Sequence, residues 1–268
     1  MRNSTTRANR APGRICLGLA LLAVSFAGPL ARAADGDIEY ASSLWSKQGQ
    51  HKTSGLYTIE QRGDGYTLTL SSDFKTKPGP GLELVLSPLA PKDTNSKNAL
   101  RDAVVLGPLQ SPTDAQEYPI DPSVDLASFH SVVIYSAKKS RLWSAAALLP
   151  GEVIARGDTW KKKTRKTRGA FEIARTTEGR VIRFANNFKT AKAPEPLRVI
   201  ISEHTTKAAS NKNAMERGRV VGTMSRYKGG QSYPLPGDVE LRPGMTLLLH
   251  CEKYTKLWSA AEIRLVSG

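Results

Sequence analysis

Cysteine, histidine and long hydrophobic runs are all scarce in this chain of 268 residues. Its two cysteines, Cys16 and Cys251, allow one internal disulfide at most. Beyond the N-terminal region, no apolar stretch approaches the about 18 residues that a transmembrane helix needs. The motifs H-E-x-x-H, G-x-S-x-G and C-x-x-C and the Walker loop are absent as well. The sequence therefore indicates no conventional hydrolase or transferase, and it leaves enzymatic activity uncertain.

The N-terminus has the three parts of a secretory signal peptide. Arginines precede an apolar segment from Ile15 to Leu30, and Ala31-Arg32-Ala33 offers small residues at the two positions that a signal peptidase reads. We expect removal of residues 1–33 and a periplasmic or secreted protein with no membrane span after cleavage. Cys16 would be lost with this segment. Any disulfide of the remaining Cys251, as in a Cys251-linked dimer, would then be intermolecular.

Positive charge is what the sequence has in excess. The net charge of +15 falls to +10 once residues 1–33 are removed. An exported protein is not expected to meet nucleic acid, so the surplus points to anionic envelope polymers, lipid headgroups or solubility. Between 161 and 168 the sequence is interpreted as a solvated, extended linker or, alternatively, as a clamp for an anionic surface. The basic residues of this segment are Lys161, Lys162, Lys163, Arg165, Lys166 and Arg168.

The chain repeats itself at an offset of about 115 residues, which is the signature of a duplication. The segment Leu-Trp-Ser-Ala-Ala occurs at 142–146 and again at 257–261. A Gln-x-Tyr-Pro motif occurs at 116–119 and at 231–234. From the repeat we predict an N-terminal segment at 34–50, a first domain at 51–150, a basic linker at 151–168 and a second domain at 169–268.

Both copies have the hydrophobic pattern of short strands. Tyr66, Leu68 and Leu70 alternate with threonines, as in a half-buried strand. Asp64-Gly65 and Glu178-Gly179 suit tight hairpin turns. The runs 132–134 and 247–249 are apolar on both faces, as in a central strand. Short strands without a long amphipathic helix predict an all-β protein with two tandem antiparallel domains, each a sandwich or a barrel.

Histidines and most carboxylates do not recur between the copies. No histidine has a histidine at the equivalent position, and only two pairs of carboxylates stay acidic. We therefore expect neither a metal site nor a carboxylate-pair hydrolase common to both domains. Trp143 and Trp258 do recur beside apolar leucine and alanine, so packing in the core explains them better than a ligand-binding platform does.

Cys251 is the chemical candidate of the mature chain. On a strand it would share a face with Leu247 and Leu249, while His250 would point to the other face, so the two side chains should not ligate one metal. Lys253 would lie on the face of Cys251 and would favour the reactive thiolate. The residues leave two interpretations open, a reactive redox thiol and a buried cysteine that packs as a small hydrophobic residue.

A series of short motifs occurs in the same order in the two copies. The second copy has Gly169 to Ile173, Asn187-Phe188-Lys189-Thr190, Gln231-x-Tyr233, Val239-x-Leu241 and a hydrophobic strand that ends in Cys251. The first copy has Asp73-Phe74-Lys75-Thr76, Gly107-Pro108-Leu109, Gln116-x-Tyr118-Pro119 and Val124-x-Leu126. Taken together, these motifs resemble the DM13 domain over most of the length of both copies.

The resemblance implies a β-rich extracytoplasmic module with a role in electron transfer, whose characteristic cysteine serves as a free thiol or as a ligand to a group such as haem. Only Cys251 matches that cysteine, because Ser136 stands at the equivalent position of the first copy. One hypothesis is therefore a redox module that uses Cys251 with an unknown redox partner. The alternative is a non-catalytic binding or scaffold module that holds anionic cell-envelope components through its basic segment.

Overall fold

The computed structural model describes residues 37–47 and 51–266. The predicted signal peptide, Cys16 and part of the predicted N-terminal segment lie outside the described residues. Within this part of the chain, no helix has the length and apolarity needed to cross a membrane. Two short 3-10 helices are formed, Leu126–Ser128 and Ala137–Lys139. The strands are β1 (Ile38–Ser42), β2 (Trp45–Lys47), β3 (Tyr57–Arg62), β4 (Gly65–Leu70), β5 (Leu82–Ser87), β6 (Val104–Pro108), β7 (Gln116–Ile120), β8 (Ser131–Ser136), β9 (Arg141–Ala147), β10 (Glu152–Gly157), β11 (Trp160–Lys162), β12 (Thr167–Arg168), β13 (Phe171–Thr176), β14 (Gly179–Phe184), β15 (Lys189–Thr190), β16 (Arg198–Ser202), β17 (Gly218–Thr223), β18 (Gln231–Leu235), β19 (Thr246–Cys251), β20 (Lys256–Glu262) and β21 (Arg264–Leu265).

Each domain is built from two antiparallel sheets. In the first domain the strand orders are β1-β3-β4-β7 and β2-β9-β8-β5-β6. The second domain repeats this arrangement with β18-β14-β13-β10-β21 and β11-β20-β19-β16-β17, and it adds the short pair β12-β15. The structure confirms the prediction of an all-β protein with two tandem antiparallel domains. Since the main core of each domain draws on both sheets, the domains are sandwiches.

Alternation along the strands builds the core between the sheets. Ile59 and Leu68 of the four-stranded sheet pack with Leu84 and Ile134 of the five-stranded sheet, and all four side chains are fully buried. Each such side chain contributes about 1.5–3 kcal/mol on burial. Both predicted hairpins are formed, because β3 runs into β4 and β13 into β14 through two-residue turns. The turn residues are Gly63-Asp64 and Thr177-Glu178, one residue before the predicted Asp64-Gly65 and Glu178-Gly179.

The central strands of the five-stranded sheets are buried on both faces. Val133 of β8 packs away from the main core, against Ala99 of the loop between β5 and β6. Leu248 of β19 packs in the same way against Ala209 of the equivalent loop. This double burial explains why both strands are apolar without alternation, as predicted.

The domain boundaries differ from those that the sequence predicts. The predicted linker at 151–168 contains β10, β11 and β12, which pair with β13, β20 and β15 of the second domain. The predicted N-terminal segment likewise contains β1 and β2 of the first domain. Edge strands tolerate exposed lysines, so a charged run in the sequence was compatible with a strand as well as with a linker. The interpretation of 151–168 as an extended linker is corrected accordingly.

The two domains pack against each other next to β1 and β10. Ala41, Leu56 and Val153 form a small buried apolar cluster between them. Strand β10 begins directly after the first domain. At this junction, Gly151 N donates a hydrogen bond to Glu39 O at 2.9 Å. The contact positions a cleft and a buried carboxylate between the copies.

Candidate functional site

Cys251 is the last residue of β19, and its side chain is completely buried. It belongs to the main core of the second domain together with Leu249 and Trp258. The register with β20 shifts between Leu249 and His250, so a β-bulge lies directly before the cysteine. The thiol is therefore held inside the domain, at the end of a strand and next to the turn that leads into β20.

A short segment without secondary structure adjoins this thiol. The register of β16 with β19 pairs Arg198 with His250, which places Leu197 beside Cys251. Both Leu197 and Cys251 are fully buried in the same core cluster. The residues just before Leu197, 193–196, belong to no strand or helix. We call residues 193–196 the cover segment.

The cover segment is held by few contacts. Ala193 packs partly against the core of the second domain. Tyr227 Oη lies within hydrogen-bond distance, 3.1 Å, of the carbonyl oxygens of Ala193 and Glu195. Lys253 Nζ lies 3.6 Å from Glu195 Oε1, and both side chains are about half exposed. An ion pair this exposed contributes little stability, so the tyrosine hydroxyl is the main polar contact of the segment.

The first domain has a serine at the structural position of Cys251. Ser136 ends β8 as Cys251 ends β19, and it pairs with Leu82. Its buried hydroxyl donates to Pro80 O at 2.6 Å. A hydroxyl that satisfies a carbonyl group at the edge of the core is a structural element. A thiol is therefore present at this position in the second domain and not in the first.

The neighbours of Cys251 in sequence form no hydrogen bond to its sulfur. His250 is 3% exposed and lies outside the core cluster that holds the thiol, and its two ring nitrogens have no hydrogen-bond partner among the described residues. Burial lowers the pKa of His250, and the charge of Arg198 lowers it further, so the imidazole is neutral at pH 7. Lys253, which the sequence predicts on the face of Cys251, pairs with Glu195.

The surroundings of Cys251 do not fit a haem. A thiolate that ligates haem iron needs an open face for the porphyrin beside the sulfur. The sulfur of Cys251 is instead enclosed by the core, among Leu249 and Trp258. Covalent attachment of a c-type haem would also require a C-x-x-C-H motif, which the sequence lacks. The residues around Cys251 therefore do not form a haem site.

The recurring tryptophans are core residues. Trp143 and Trp258 are 6% and 4% exposed. Their indole nitrogens donate to Lys77 O at 2.8 Å and to Ala191 O at 3.1 Å. These positions agree with packing and leave no exposed ring for a ligand. In residues 37–47 and 51–266, no group of three His, Cys, Asp or Glu side chains is placed to hold a metal ion.

A cleft of about 430 Å³ lies between the domains, and residues of both copies line it. Two ion pairs border the cleft, Arg156 with Asp73 at 2.6 Å and Arg264 with Asp158 at 2.7 Å. Burial raises the pKa of Asp73, but hydrogen bonds from Ser71 and Arg156 outweigh it, and the pKa lies below its usual value. The Arg156–Asp73 pair joins the two domains, whereas Arg264 and Asp158 both belong to the second domain.

Glu172 is a buried carboxylate at the same contact, and nothing in the sequence singles it out. It accepts hydrogen bonds from Ser43 N at 2.8 Å and from the hydroxyls of Ser43 and Ser42 at 3.1 and 3.2 Å. Arg183 Nη1 lies 3.5 Å away, and Arg183 also donates to Pro150 O at 2.7 Å. Burial raises the pKa of Glu172, against the opposing effects of Ser43 and Arg183. The carboxylate joins β13 of the second domain to the start of the first.

The basic segment lies along an edge of the second domain. Lys161 and Lys162 belong to β11, the edge strand of its sheet, and Arg168 belongs to β12. The guanidinium carbon of Arg165 lies 6.0 Å from the ring centroid of Trp258. Lys163 is half-buried, and the other basic residues of the segment are exposed. Lys163, Arg165 and Lys166 lie in the connection between β11 and β12. The segment therefore belongs to the second domain and is not a linker between the domains.

Fold and site together define a class of protein, a tandem of two small β-sandwiches with one buried thiol in the second. The family model described as electron transfer DM13 matches the chain twice, over residues 45–148 and 159–263. The chain therefore belongs to the DM13 family, and it contains two such domains in tandem. The two matches begin at β2 and just before β11, which agrees with the inclusion of these strands in the domains. No curated protein and no solved structure matches the chain.

Proposed function

We propose that this protein is an exported electron-transfer protein and that the thiol of Cys251 is its redox group. The description of its family supports a role in electron transfer, and the signal peptide predicted at 1–33 supports export. The observation that carries the proposal is the position of Cys251, at a strand end beside the cover segment, where the first domain has Ser136. Redox chemistry then belongs to the second domain, and the first domain has a structural or binding role.

Reactivity of a buried thiol requires local opening, and the cover segment is suited to it. Pro194 and Pro196 have no backbone N–H and take no part in a sheet. The segment is tied down mainly by the hydroxyl of Tyr227. Segments with few buried contacts open at a lower free energy than the whole domain unfolds. Opening at 193–196 would expose Cys251 without unfolding the second domain.

The chemistry of the exposed thiol is disulfide exchange with a partner that carries a disulfide. The Cys251 thiolate attacks one sulfur, the partner's S–S bond breaks, and the second sulfur leaves as a thiolate. A thiolate of a second partner, which carries a dithiol, then attacks the Cys251 sulfur of the mixed disulfide and releases the first partner as a dithiol. The other thiolate of the second partner attacks the partner's sulfur in the new mixed disulfide, which restores the Cys251 thiolate and leaves the second partner as a disulfide. Two electrons thereby pass from the second partner to the first. A Cys251-linked dimer needs the same opening, because the sulfur is inaccessible in the closed domain.

The test is the rate at which Cys251 reacts with a soluble aromatic disulfide reagent in the folded protein, measured across low urea concentrations. We expect a reaction that depends only weakly on urea, as for local opening. Tyr227→Phe should accelerate it about 2- to 10-fold, the equivalent of the about 0.5–1.5 kcal/mol of one hydrogen bond. The matched control is Tyr254→Phe, at an exposed tyrosine in the turn between β19 and β20, and it should leave the rate unchanged.

Two further variants complete the test. Cys251→Ser should abolish the reaction. A thiol introduced by Ser136→Cys in the Cys251→Ser background reports whether the first domain opens in the same way. Reaction of Cys251 only at the rate of global unfolding, with no effect of Tyr227→Phe, would contradict the proposal and make Cys251 a packing residue.

A further inference from the structure

A row of cations crosses three neighbouring segments of the second domain. Arg168 of β12 lies directly opposite Lys189 of β15. Lys189 also forms an isolated antiparallel bridge with Lys228. All three side chains are exposed. We call Arg168, Lys189 and Lys228 the cation ladder.

The inward neighbours of the ladder show which way its side chains point. Thr167 and Thr190, the adjacent residues of the same two strands, are buried. Their hydroxyl groups lie 2.8 Å apart and share a hydrogen bond. Because successive side chains of a strand alternate between faces, Arg168 and Lys189 stand on the solvent side. The ladder is thus a fixed outward row, set by the pairing of the strands.

Such a row is electrostatically unfavourable for the isolated protein. Like charges directly opposite each other on neighbouring strands are destabilising. None of the three cations forms an ion pair with a carboxylate of the described residues. The exposed Lys161, Lys162 and Lys166 precede Arg168 in the sequence and add further positive charge.

The first domain shows that the fold does not require this charge. Its equivalent row is Ser54, Lys75 and Thr113, joined by two isolated antiparallel bridges. One cation therefore stands where the second domain has three. In sequence, the first copy has two lysines between Trp45 and Thr53, and the second copy has five basic residues between Trp160 and Thr167. The additional positive charge is therefore found on this surface of the second domain only, although both domains have the same fold.

We propose that the cation ladder, together with Lys161, Lys162 and Lys166, binds a linear acidic polysaccharide. A row of cations on neighbouring segments is complementary to a chain that carries one negative charge per repeating unit. The pairing of Arg168 with Lys189 and of Lys189 with Lys228 fixes these charges in place, so less ordering is needed on binding. This binding surface is separate from Cys251, and the proposal does not depend on the redox role of the thiol.

Two other anionic partners fit this surface less well. Binding to an anionic membrane combines cations with inserted apolar side chains. The exposed large apolar residues of the described chain belong to none of the strands β11, β12 and β15, namely Leu100, Val105, Met215, Tyr254 and Leu265. Single-stranded nucleic acid binds through exposed aromatic rings, whereas Trp160, the aromatic residue of these strands, packs against the core.

The experiment measures binding of the full mature chain to oligogalacturonate, a linear acidic polysaccharide, by titration calorimetry at several salt concentrations. Binding should weaken steeply between about 50 and 200 mM salt, as for ion pairing with a polyanion. The variant Arg168→Ser/Lys228→Thr gives the second domain the ladder residues of the first. It should weaken binding at least tenfold and make the salt dependence shallower.

The matched control is Lys97→Ser/Lys212→Thr, which removes the same charge from exposed loops at equivalent positions of the two domains. It should change affinity less than twofold. An equal loss in this control, or no binding by the wild type, would overturn the proposal. Tighter binding to phosphatidylglycerol vesicles or to a single-stranded oligonucleotide than to oligogalacturonate would also overturn it, in favour of a lipid or nucleic-acid partner.

Discussion

The two copies differ in individual side chains at the contact between the domains. Glu172 and Arg183 form a cross-strand pair on β13 and β14, and the equivalent cross-strand pair of the first domain is Thr58 and Thr69. In the second domain this pair faces the other copy and is buried against it. A charge pair at this position therefore serves the contact between domains and not the sandwich itself.

The raised pKa of Glu172 makes the contact sensitive to pH. A carboxyl group whose pKa is higher in the folded than in the unfolded chain binds its proton more tightly when folded. Stability from this group is present at low pH and is lost as the pH rises from the unfolded value of about 4.3 towards the folded pKa. Above the folded pKa, the contribution no longer changes.

We predict that Glu172→Gln, which cannot titrate, removes this component of the pH dependence. The free energy of unfolding of the wild type minus that of the variant should decrease as the pH rises above about 4.3. Urea unfolding of the two proteins at a series of pH values measures this difference. A difference that stays constant or increases with pH would show that the carboxylate is stabilised in its ionised form.

The positions of short strands depend on specific side-chain hydrogen bonds, because such strands make few backbone hydrogen bonds. β12 is two residues long, and its Thr167 hydroxyl lies 2.8 Å from that of Thr190 and 2.7 Å from that of Ser259. These two contacts join β12 to β15 and to β20. They also set the outward direction of the neighbouring Arg168, and with it the position of the cation ladder.

We predict that Thr167→Val destabilises the second domain by about 1–3 kcal/mol, because it leaves two buried hydroxyl groups without a partner. Thr53→Val, at the equivalent position of the first domain, breaks one such contact, with Thr76, and should cost less. Urea unfolding gives the two free energies, and amide hydrogen exchange should show lost protection in β12 and β15. Equal costs for the two variants would argue against the tie to Ser259.

At the scale of the whole molecule, the two sandwiches share a buried contact. Its apolar part centres on Val153, which is 2% exposed beside Ala41 and Leu56. The Arg156–Asp73 ion pair and the hydrogen bonds of Glu172 add polar interactions across the same contact. From these contacts we expect the folding of one domain to be coupled to that of the other.

We predict that the mature protein unfolds in a single thermal transition and that Val153→Asp separates it into two. A buried, unpaired carboxylate is strongly unfavourable, and it should separate the domains before either unfolds. Differential scanning calorimetry compares the calorimetric and van't Hoff enthalpies. Val105→Asp, at a residue that is 51% exposed, should leave a single transition. Two transitions already in the wild type would show that the domains fold independently.

Local sequence was enough to predict most of the fold. Apolar alternation located the strands, and the glycine of each hairpin located the turns. Gly55 and Gly169 recur for a steric reason, because a Cβ at either position would lie 2.4 Å from the Cα of Phe74 or Phe188. The linker was misjudged because a run of lysines looks alike in a connector and in an edge strand.

The sequence by itself determined the duplication, the strand-rich class of both domains and the single cysteine within the two domains, because these depend on residue identity and on local periodicity. Only the tertiary structure decided which charges meet. Arg168, Lys189 and Lys228 are distant in sequence, and the pairing of three separate segments brings them into one row. The burial of Cys251 and of Glu172 was likewise set by packing, since a side chain's exposure depends on what the rest of the chain places against it.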